Sequence, residues 1–428
     1  MTVSKRRATG TLVALSVATF TYVTTEVLPI GLLTVMADDL GRSDSAIGLL
    51  VTGYAGVVVL ASIPLTHLTG HIPRRWLLTV TLAIFVAGGL ATTVAANYWV
   101  LLVARLAIAL TQALFWSVVG PTAAGLFPPE VRGRAVARLA VGAALSPVVG
   151  VPVGTWIGQQ AGWRVAFLVM AAVGLATCVA VAALVPTFAP ADGGAARGTA
   201  PDVRRYAILL VACPVGVAGS LTAYTYVTPF LLDVSGFTSA ALGPLLLVTG
   251  VAGVTGTLVV GRFLDRRPWG SLVVPLTATV TALLALYTLG AAKAAAVVAV
   301  ALALMAYSAF AVAVQNRTLQ VAPGSTDLAG AGMGSAFNLG IAGGSLLGGG
   351  LIQTTGVRSV ALAGAGLAAA ALALLLAEPR LARPTARGRR VSGRDRGGSA
   401  RGCPPPRHGD VSTAGSSEAE TRASAPPC

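Results

Sequence analysis

Two charged residues lie deep inside long apolar stretches of this sequence. Glu26 lies in SVATFTYVTTEVLPIGLL, and the other 14 of the chain's 15 carboxylates fall in connections, near the ends of apolar stretches or in the C-terminal tail. Arg105 is the single basic residue well inside such a stretch, in VLLVARLAIALTQALFWS. If these stretches cross a lipid bilayer, an ionised side chain at that depth costs about 2.5 to 3.5 kcal/mol. Each side chain must then pair or face a cavity, and the carboxyl group can also hold a proton.

The neighbours of Glu26 suit a group that loads and releases a proton. Tyr22 lies one helical turn earlier on the same face. Pro29 has no backbone N–H for the carbonyl of Thr25, so we expect a kink and a free carbonyl oxygen beside the carboxyl group. We predict proton coupling at Glu26. The alternative is a protonated carboxyl group that makes only a structural hydrogen bond between helices.

Arg105, Gln112 and Trp116 follow one another at intervals of seven and four residues, so they fall on one face of a helix. A cation, an amide and an aromatic ring on one stripe suit a cavity that admits polar organic molecules. Arg105 and Glu26 come out at similar depth, so we expect Arg105 to hold an anionic partner, either Glu26 or a polar group of a substrate. The alternative is that Arg105 extends to the lipid headgroups and that Gln112 only packs between helices.

The elements that position these residues are long apolar helices. Of 428 residues, 55% are apolar and 11% are charged, and the mean hydropathy is +0.79, as in a membrane protein. Strands of a closed barrel would alternate over about ten residues, whereas these stretches are continuous. We therefore predict an all-α polytopic membrane protein with twelve transmembrane helices. The stretches are 11–35, 46–66, 76–96, 99–126, 135–157, 165–186, 206–232, 240–261, 271–290, 294–316, 328–352 and 357–377.

The chain divides into two groups of six helices. We predict an N-terminal six-helix bundle over 1–186 and a C-terminal six-helix bundle over 206–377. The segment 187–205 is polar and rich in Ala, Gly, Pro and Arg, which suits a cytoplasmic linker. From 378 to 428 the chain has almost no large apolar residue, so we predict a disordered cytoplasmic tail.

The excess of basic residues, 30 Lys and Arg against 15 Asp and Glu, indicates orientation rather than a nucleic-acid partner. With the N-terminus inside, 15 basic residues outside the tail lie on the cytoplasmic side and four on the opposite side. The positive-inside rule then places both termini in the cytoplasm. We expect a multi-pass protein of the plasma membrane, in a bacterium the inner membrane, surrounded by lipid and working as a monomer.

No catalytic or metal site is indicated. The four cysteines have no CxxC or CxH spacing, and the three histidines lie at the end of the second stretch and in the tail rather than in the centre of a span. His, Asp and Cys do not cluster at one membrane face as an enzyme would require. The sequence has no GxxxxGK[ST] loop for ATP. We therefore expect no enzyme, no metal and no cofactor, with a proton gradient as the driving force.

Small residues recur at every fourth position in the fifth and eleventh apolar stretches. Each is 190 residues from its counterpart: Gly142, Ser146, Gly150, Gly154 and Gly158, then Gly332, Ala336, Gly340, Gly344 and Gly348. Such ridges let helices approach closely, and matching copies imply two similar bundles. We predict that the bundles meet along these helices, the alternative being a chance run in a chain rich in Ala and Gly. The predicted interface residues are Gly150, Pro152, Gly154, Gly340 and Gly344.

Two loops carry related patterns, HLTGHIPRRWLL after the second stretch and GRFLDRRPWG after the eighth. They resemble the two copies of the loop Gly-x-x-x-Asp-Arg-x-Gly-Arg-Arg of the major facilitator superfamily. Gly70 and His71 replace the family's Asp and Arg in the first copy. The resemblance implies that the matching residues act in gating, the alternative being arginines that only set topology. The implied gating residues are Arg74, Arg75, Gly261, Asp265 and Arg266.

Further stretches over residues 10–378 resemble the drug and sugar efflux branch of the proton antiporters. They are TEVLPIGLL, DDLGRSDSAIGLLVTGYA, LFPPEVRGRAVA, GVPVGTWIGQQAGWR, AYTYVTPFL and AFNLGIAGGSLLGG. Arg105 matches the arginine of the family's fourth-span motif, whereas Gln112 and Ala113 stand where many relatives have His-Gly. The implied cavity residues, with those of the stripe, are Tyr22, Arg105, Gln112, Trp116, Tyr224, Tyr226 and Asn338.

The resemblance implies a proton antiporter that exchanges protons at Glu26, alternates access by rocking two bundles and exports a small sugar-like or antibiotic-like compound. A first alternative is a proton-independent facilitator or importer of a small polar metabolite, whose transport would not respond to collapse of the proton gradient. A second alternative is a polytopic membrane receptor or enzyme.

Overall fold

The protein is described by a computed structural model that covers residues 4–42, 44–187 and 196–382. Within these ranges the chain is helical, with one isolated bridge between Arg197 and Ser325 as its only β-type pairing. Eleven helices of the described residues are long and apolar enough to cross a membrane. Together with the helix Asp44–Thr69, whose apolar part is shorter, they make two sets of six. The prediction of an all-α, twelve-helix membrane protein is confirmed.

We number the helices as spans in chain order and call spans 1–6 the first half and spans 7–12 the second half. Span 5 is interrupted by a π-helical segment, Ser146–Gly150, and span 7 is followed by a second one, Phe230–Val234. The spans are Lys5–Gly31, Asp44–Thr69, Arg74–Thr93, Tyr98–Gly125, Arg132–Leu145 with Val151–Ala161, Trp163–Leu184, Val203–Tyr224, Ser239–Val260, Gly270–Leu289, Lys293–Val321, Thr326–Thr355 and Ser359–Leu381.

The predicted tail begins too early. Span 12 continues to Leu381 because Glu378 is buried and pairs with Arg317 of span 10 at 3.1 Å. Residues 383–428 lie outside the described residues, so the disorder of the tail stays a prediction. Much of the predicted linker also lies outside, and its last three residues belong to span 7, which Asp202 caps through hydrogen bonds from the backbone N–H groups of Arg204 and Arg205.

The two halves share a hydrophobic core at one end only. We call the end that holds Lys5 and Leu381 the terminal side and the opposite end the distal side. On the terminal side, Ala124, Val136 and Ala137 of the first half belong to one buried cluster with spans 7–12. On the distal side, the buried clusters of the described residues are each confined to one half. The halves are therefore held together on the terminal side.

The glycine ridges pack inside each half, so the predicted interface between bundles is wrong. A Cβ atom at Gly150 would clash with Thr24 and lie 2.9 Å from the ring of Phe20, both in span 1. Gly154 likewise faces span 1, Gly340 and Gly344 face span 7, and Pro152 is exposed.

The physical reason is the repeat itself, since each half uses its ridge to seat its own first helix. Span 5 begins at Arg132 and span 11 begins at Thr326, 194 residues later. In that register Gly150 corresponds to Gly344, and the 190-residue pairing of the ridges is off by one helical turn.

Different residues form the contact between halves. Spans 2 and 4 pack against span 11, and span 5 packs against spans 8 and 10. The Cβ positions of Gly250 and Gly261 in and after span 8 lie 2.5 Å from side-chain atoms of Val148 and Ala137 in span 5. Small residues thus do admit close approach between halves, but they lie on span 8.

We predict that Gly344→Ala destabilises the protein, because its Cβ would lie 2.6 Å from the carbonyl oxygen of Ala218 and overpacking costs about 1 to 3 kcal/mol. Gly343→Ala is the matched control, since nothing lies within 4 Å of its Cβ position and alanine favours the helix. Thermal unfolding in detergent measures both. Equal melting temperatures for the two variants would show that the ridge is not tightly packed.

A polar clasp ties the distal end of the first half. Asp39, in the short helix Leu33–Leu40, accepts hydrogen bonds from Arg164 at 2.6 Å and from the indole N–H of Trp163 at 3.1 Å. Arg164 also donates to the carbonyl of Ala95 at 2.9 Å. Partial burial raises the pKa of Asp39, but the hydrogen bonds from Arg164 and Trp163 outweigh that effect, so its pKa lies below the usual value.

Since this pKa is lowered in the folded protein, the clasp contributes stability above the ordinary aspartate pKa of about 3.9 and loses it as pH falls further. We expect Asp39→Asn to lower stability by up to about 1 kcal/mol at pH 7, because the pair is half-exposed. The difference from wild type should hold to pH about 5 and shrink below pH about 4. Thermal unfolding against pH measures it, with Asp38→Asn as control; a difference that does not change with pH would contradict the role of the ionised carboxylate.

Candidate functional site

The site is built beside Pro29 of span 1, where this helix lies next to span 4. Pro29 lacks the N–H that would bond the carbonyl of Thr25, and the structure confirms that this oxygen is taken by another group. Arg105 donates from Nη1 to the Thr25 carbonyl at 2.6 Å and from Nη2 to the Glu26 carbonyl at 3.0 Å. The guanidinium is fully buried, so it does not extend to the headgroups. Arg105 thus supplies the carbonyl oxygen of Thr25 with the donor that Pro29 cannot provide.

The expected pair between Arg105 and the Glu26 carboxylate does not form in this structure. Among the described residues, no ion pair joins the two side chains. The reason is that the carbonyl oxygens of Thr25 and Glu26 form a pair of acceptors, which the parallel N–H groups of a guanidinium fit. The carboxylate is left to a neutral donor.

That donor is Gln112, whose amide nitrogen lies 2.7 Å from the Glu26 carboxylate. Tyr54 of span 2 donates its hydroxyl to the amide oxygen of Gln112 at 2.6 Å. The Tyr54 ring also lies 4.7 Å from the Arg105 guanidinium, in a cation–π contact. A connected group of carboxylate, amide, phenol and guanidinium therefore links spans 1, 2 and 4.

Glu26 is the member of this group that reaches open space. Its side chain is partly exposed, whereas Arg105, Gln112 and Tyr54 are at most 2% exposed. Beside it, the hydroxyl of Thr25 and Nε of Arg105 are buried and make no hydrogen bond within the described ranges. A carboxyl group that is partly exposed and hydrogen-bonded by a neutral amide can take up or release a proton.

Sequence analysis missed Tyr54. A tyrosine in an apolar helix has no periodic signal that separates a site residue from a core residue. The useful signal was Gln112, because a buried amide has a donor and an acceptor and needs a partner for each. Gln112 satisfies both needs with Glu26 and Tyr54.

The predicted cavity residues Tyr22 and Trp116 have different surroundings, because Tyr22 is fully buried in the core and Trp116 is partly exposed. Tyr22 is fully buried in the hydrophobic core and donates to the hydroxyl of Thr111 at 3.1 Å, so it supports the site without lining a cavity. Trp116 packs partly buried against the same core, 5.9 Å from the ring of Phe115.

The predicted cavity residues of the second half also differ in what they contact. Tyr226 is structural, since its hydroxyl donates to the carbonyl of Ser345 at 2.9 Å and its ring packs under the ridge of span 11. Asn338 bonds its own helix, through the carbonyl of Gly334 at 2.9 Å. Tyr224 lines a cavity of about 20 Å³ together with Tyr307.

The loop residues predicted to gate lie on the terminal side, where they differ in what they contact. Arg74 is 1% exposed and forms an ion pair at 2.8 Å with Asp327, at the start of span 11 in the other half. Arg75 stays in its own half and donates to the hydroxyl of Thr187 at 3.2 Å, while Arg266 is exposed.

The second loop crosses between halves through its acid. Asp265 accepts hydrogen bonds from the backbone N–H groups of Gly133 at 2.6 Å and Arg134 at 3.3 Å, at the start of span 5. Burial raises the pKa of Asp265, and these bonds offset only part of that effect. Gly261 lies against Ala137. The two loops therefore bridge the halves differently, one through an arginine and the other through an aspartate at a helix N-terminus.

Known structures share this fold. The human organic anion transporter MFSD10 (TETRAN) aligns with a TM-score of 0.70 at 15% identity, covering 87% of this chain and 100% of that chain. The proton:xylose symporter XylE bound to 6-bromo-6-deoxy-D-glucose aligns with a TM-score of 0.70 at 10% identity, covering 89% and 97%. The fucose:proton symporter FucP of E. coli aligns with a TM-score of 0.69 at 14% identity, covering 87% and 98%.

A sequence profile agrees with the fold. The profile of the Major Facilitator Superfamily matches residues 15–334, which is most of the chain and includes the Glu26 group and both loops. The chain belongs to the major facilitator superfamily and is a multi-pass membrane transporter of small solutes.

Proposed function

We propose that this protein is a proton-coupled antiporter that exports a small organic compound, sugar-like or antibiotic-like, with both termini in the cytoplasm. The observation that carries the proposal is Glu26, a partly exposed carboxylate three residues before Pro29, hydrogen-bonded by the neutral amide of Gln112 and free of any ion pair among the described residues. A carboxylate that is already ion-paired is held in its charged form, whereas this one is free to be neutralised by a proton.

Protonation at Glu26 changes three side chains together. The ionised carboxylate accepts from the Gln112 amide nitrogen, and Tyr54 donates to the amide oxygen. A protonated carboxyl group gains an O–H donor that needs an acceptor, and its bond from the Gln112 amide nitrogen weakens because the carboxyl group is no longer charged. Proton binding therefore favours rearrangement of the Glu26, Gln112 and Tyr54 side chains.

Arg105 is a positioning residue in this scheme. Its guanidinium holds span 1 against span 4 through hydrogen bonds to main-chain oxygens, and these oxygens do not titrate. The carboxyl group can then gain or lose its proton while its helix stays anchored.

The terminal side is closed and the distal side has no core shared between the halves among the described residues, which supports a state open to the distal side. Opening to the terminal side requires the Arg74–Asp327 pair and the bonds of Asp265 to separate. These two contacts are therefore the gate of the transporter on its cytoplasmic side.

A proton symporter that imports its substrate is the second candidate function, because two of the similar structures are named proton symporters. The same carboxyl group serves either direction of coupling. Vesicles of known sidedness distinguish them: an antiporter accumulates substrate on the side from which protons leave, and a symporter accumulates it on the side that protons enter.

We predict that Glu26→Gln folds but loses gradient-driven accumulation, because glutamine keeps the shape and cannot carry the proton. Accumulation by vesicles with an imposed pH gradient, over a panel of uncharged sugars and antibiotics, should fall to the level measured with the gradient collapsed. The control is Glu130→Gln, an exposed carboxylate before span 5. Full gradient-driven accumulation by Glu26→Gln at normal expression would sink the coupling role.

We expect Arg105→Lys to slow transport roughly tenfold, since lysine keeps the charge but cannot bond both carbonyls, and one charge-assisted hydrogen bond contributes about 1.5 kcal/mol. The initial rate in the same vesicles measures this, with the exposed Arg138→Lys as control. An unchanged rate would mean that the two-pronged contact does not matter.

Arg74→Ala should favour the state open to the terminal side, because it leaves Asp327 buried without its partner, which costs about 3 to 5 kcal/mol. The exchange Arg74→Asp with Asp327→Arg should restore part of the closed state. The measurement is the labelling rate of Ser335→Cys by a membrane-impermeant thiol reagent from the cytoplasmic side, with the native cysteines replaced by serine; Ser335 lies between the halves and donates to the carbonyl of Val59. Equal labelling rates in all three proteins would rule out the gate.

A further inference from the structure

The segment 196–202 of the predicted linker, just before span 7, lies against the loop 322–325 that joins spans 10 and 11. We call residues 196–202 the strap. An antiparallel β-bridge between Arg197 and Ser325 connects the strap to the loop through main-chain groups. This part of the linker is therefore attached to the second half, whereas the sequence alone indicated only a polar connection between the halves.

The strap supplies hydrogen-bond donors to the end of span 10. The last carbonyl groups of a helix have no partner within the helix and need donors from elsewhere. The backbone N–H of Ala200 donates to the carbonyl of Gln320 at 2.9 Å. The backbone N–H of Asp202 donates to the carbonyl of Val321 at 3.1 Å. The strap thus completes the last turn of span 10, from which the loop begins.

The strap and the loop are in close contact at Gly198. A Cβ atom there would lie 2.6 Å from the carbonyl oxygen of Gln320 and 2.8 Å from that of Ala322. Both are main-chain atoms, so a side chain at this position requires the strap and the loop to move apart. Gly324, in the loop itself, has nothing within 4 Å of its Cβ position. The tight contact therefore belongs to the strap position and not to the loop in general.

The loop held by the strap leads directly to Asp327, the partner of Arg74. The backbone N–H of Thr326 donates to the carbonyl of Ala196 at 3.1 Å. Ser325 is bridged to the strap, and its hydroxyl accepts a hydrogen bond from the backbone N–H of Asp327 at 3.2 Å. The two residues before Asp327 are thus tied to the strap, while the Asp327 carboxylate meets Arg74 of the first half at 2.8 Å.

The other end of the strap is anchored on the spans of its own half. Asp202 caps span 7 and forms an ion pair with Arg205 at 3.3 Å. Arg205 lies 3.8 Å from Glu378 of span 12, which pairs with Arg317 of span 10 at 3.1 Å. Since Glu378 and Arg317 are buried, displacing this network would leave charges without partners. The strap therefore has a firm support from which to hold the loop.

We propose that the strap positions the gate on the terminal side, by holding the start of span 11 where Asp327 can meet Arg74. The inference rests on the proposed function, in which this ion pair is part of the gate. Gly198 is then a positioning residue, which acts on the ion pair through the main chain of the loop. A change in the strap should open the gate although both charged side chains are still present.

Amide hydrogen exchange tests the strap without reference to transport. In the wild type, the amides of Ala200, Asp202 and Thr326 should be protected, because each donates to a main-chain carbonyl. Gly198→Ala should speed their exchange about fivefold, the factor that corresponds to the loss of one hydrogen bond. Gly324→Ala is the matched control, and it should leave the exchange of these amides unchanged.

The effect on the gate is measured by labelling Ser335→Cys from the cytoplasmic side, as for Arg74→Ala. Gly198→Ala should raise the labelling rate about fivefold, for the same loss of one hydrogen bond, and Gly324→Ala should leave it unchanged. In the Arg74→Ala background, Gly198→Ala should add no further increase, because the ion pair through which the strap acts is already absent.

Two further variants separate positioning from general loss of stability. Ala200→Pro removes one N–H donor of the strap and leaves Gly198 in place, so it should raise the labelling rate as Gly198→Ala does. Gly219→Ala places a Cβ atom 2.7 Å from the backbone nitrogen of Ala368, between spans 7 and 12. It should lower the melting temperature and leave the labelling rate unchanged.

Four results would overturn the proposal. They are rapid exchange of the three amides in the wild type, equal labelling rates in the wild type and both strap variants, an increase that adds to that of Arg74→Ala, and an equal increase in Gly219→Ala. A failure of the proposed function looks different. In that case Arg74→Ala itself leaves labelling unchanged, while exchange still separates Gly198→Ala from Gly324→Ala, and the positioning role is refuted together with the gate.

Discussion

The arrangement of the site depends on one contact, in which the Arg105 guanidinium donates hydrogen bonds to the carbonyl oxygens of Thr25 and Glu26 in span 1. Proline breaks the helical hydrogen bonding beside Glu26, and an unpaired carbonyl inside a membrane is costly. A cation that is equally costly when unpaired satisfies that oxygen. Because main-chain oxygens accept the hydrogen bonds of the Arg105 guanidinium, the carboxyl group of Glu26 is not needed as its partner and can bind a proton.

Two similar halves with unequal side chains follow from the same repeat. The ridges of spans 5 and 11 seat spans 1 and 7, so both halves place their first helix in the same way. At equal distances from the starts of the corresponding helices, Tyr224 takes the position of Glu26 and Tyr307 takes the position of Gln112. The two loops on the terminal side also differ in their side chains. Arg74 of the first loop forms an ion pair with Asp327, whereas Asp265 of the second loop accepts a hydrogen bond from the backbone N–H of Gly133 at the start of span 5. The backbone is repeated, and the chemistry differs between its copies.

The twelve helices could be predicted from sequence because continuous apolar runs of this length have few alternatives, and Glu26 stood out because a carboxylate inside such a run is rare. The partners of these residues could not be predicted in the same way. Arg105 binds main-chain oxygens, which no side-chain pattern reports, and Tyr54 is an ordinary residue of an apolar helix until its neighbours are known. The ridge glycines were recognised, but spacing along one helix does not say which helix lies opposite. Gly70 replaces the family's aspartate in the first loop, and no sequence pattern reported that Arg74 of this loop pairs with Asp327, 253 residues away.

The central claim is that a proton at Glu26 and a bound substrate exclude each other, as an antiporter requires, and the most direct test is proton release on substrate binding. Purified protein in weakly buffered detergent, at a series of pH values, is mixed with the compound of the transport panel that it accumulates most, and the pH change is recorded. The account predicts that protons are released by wild type and not by Glu26→Gln. Proton uptake on binding, or release of equal size from both proteins, would contradict it.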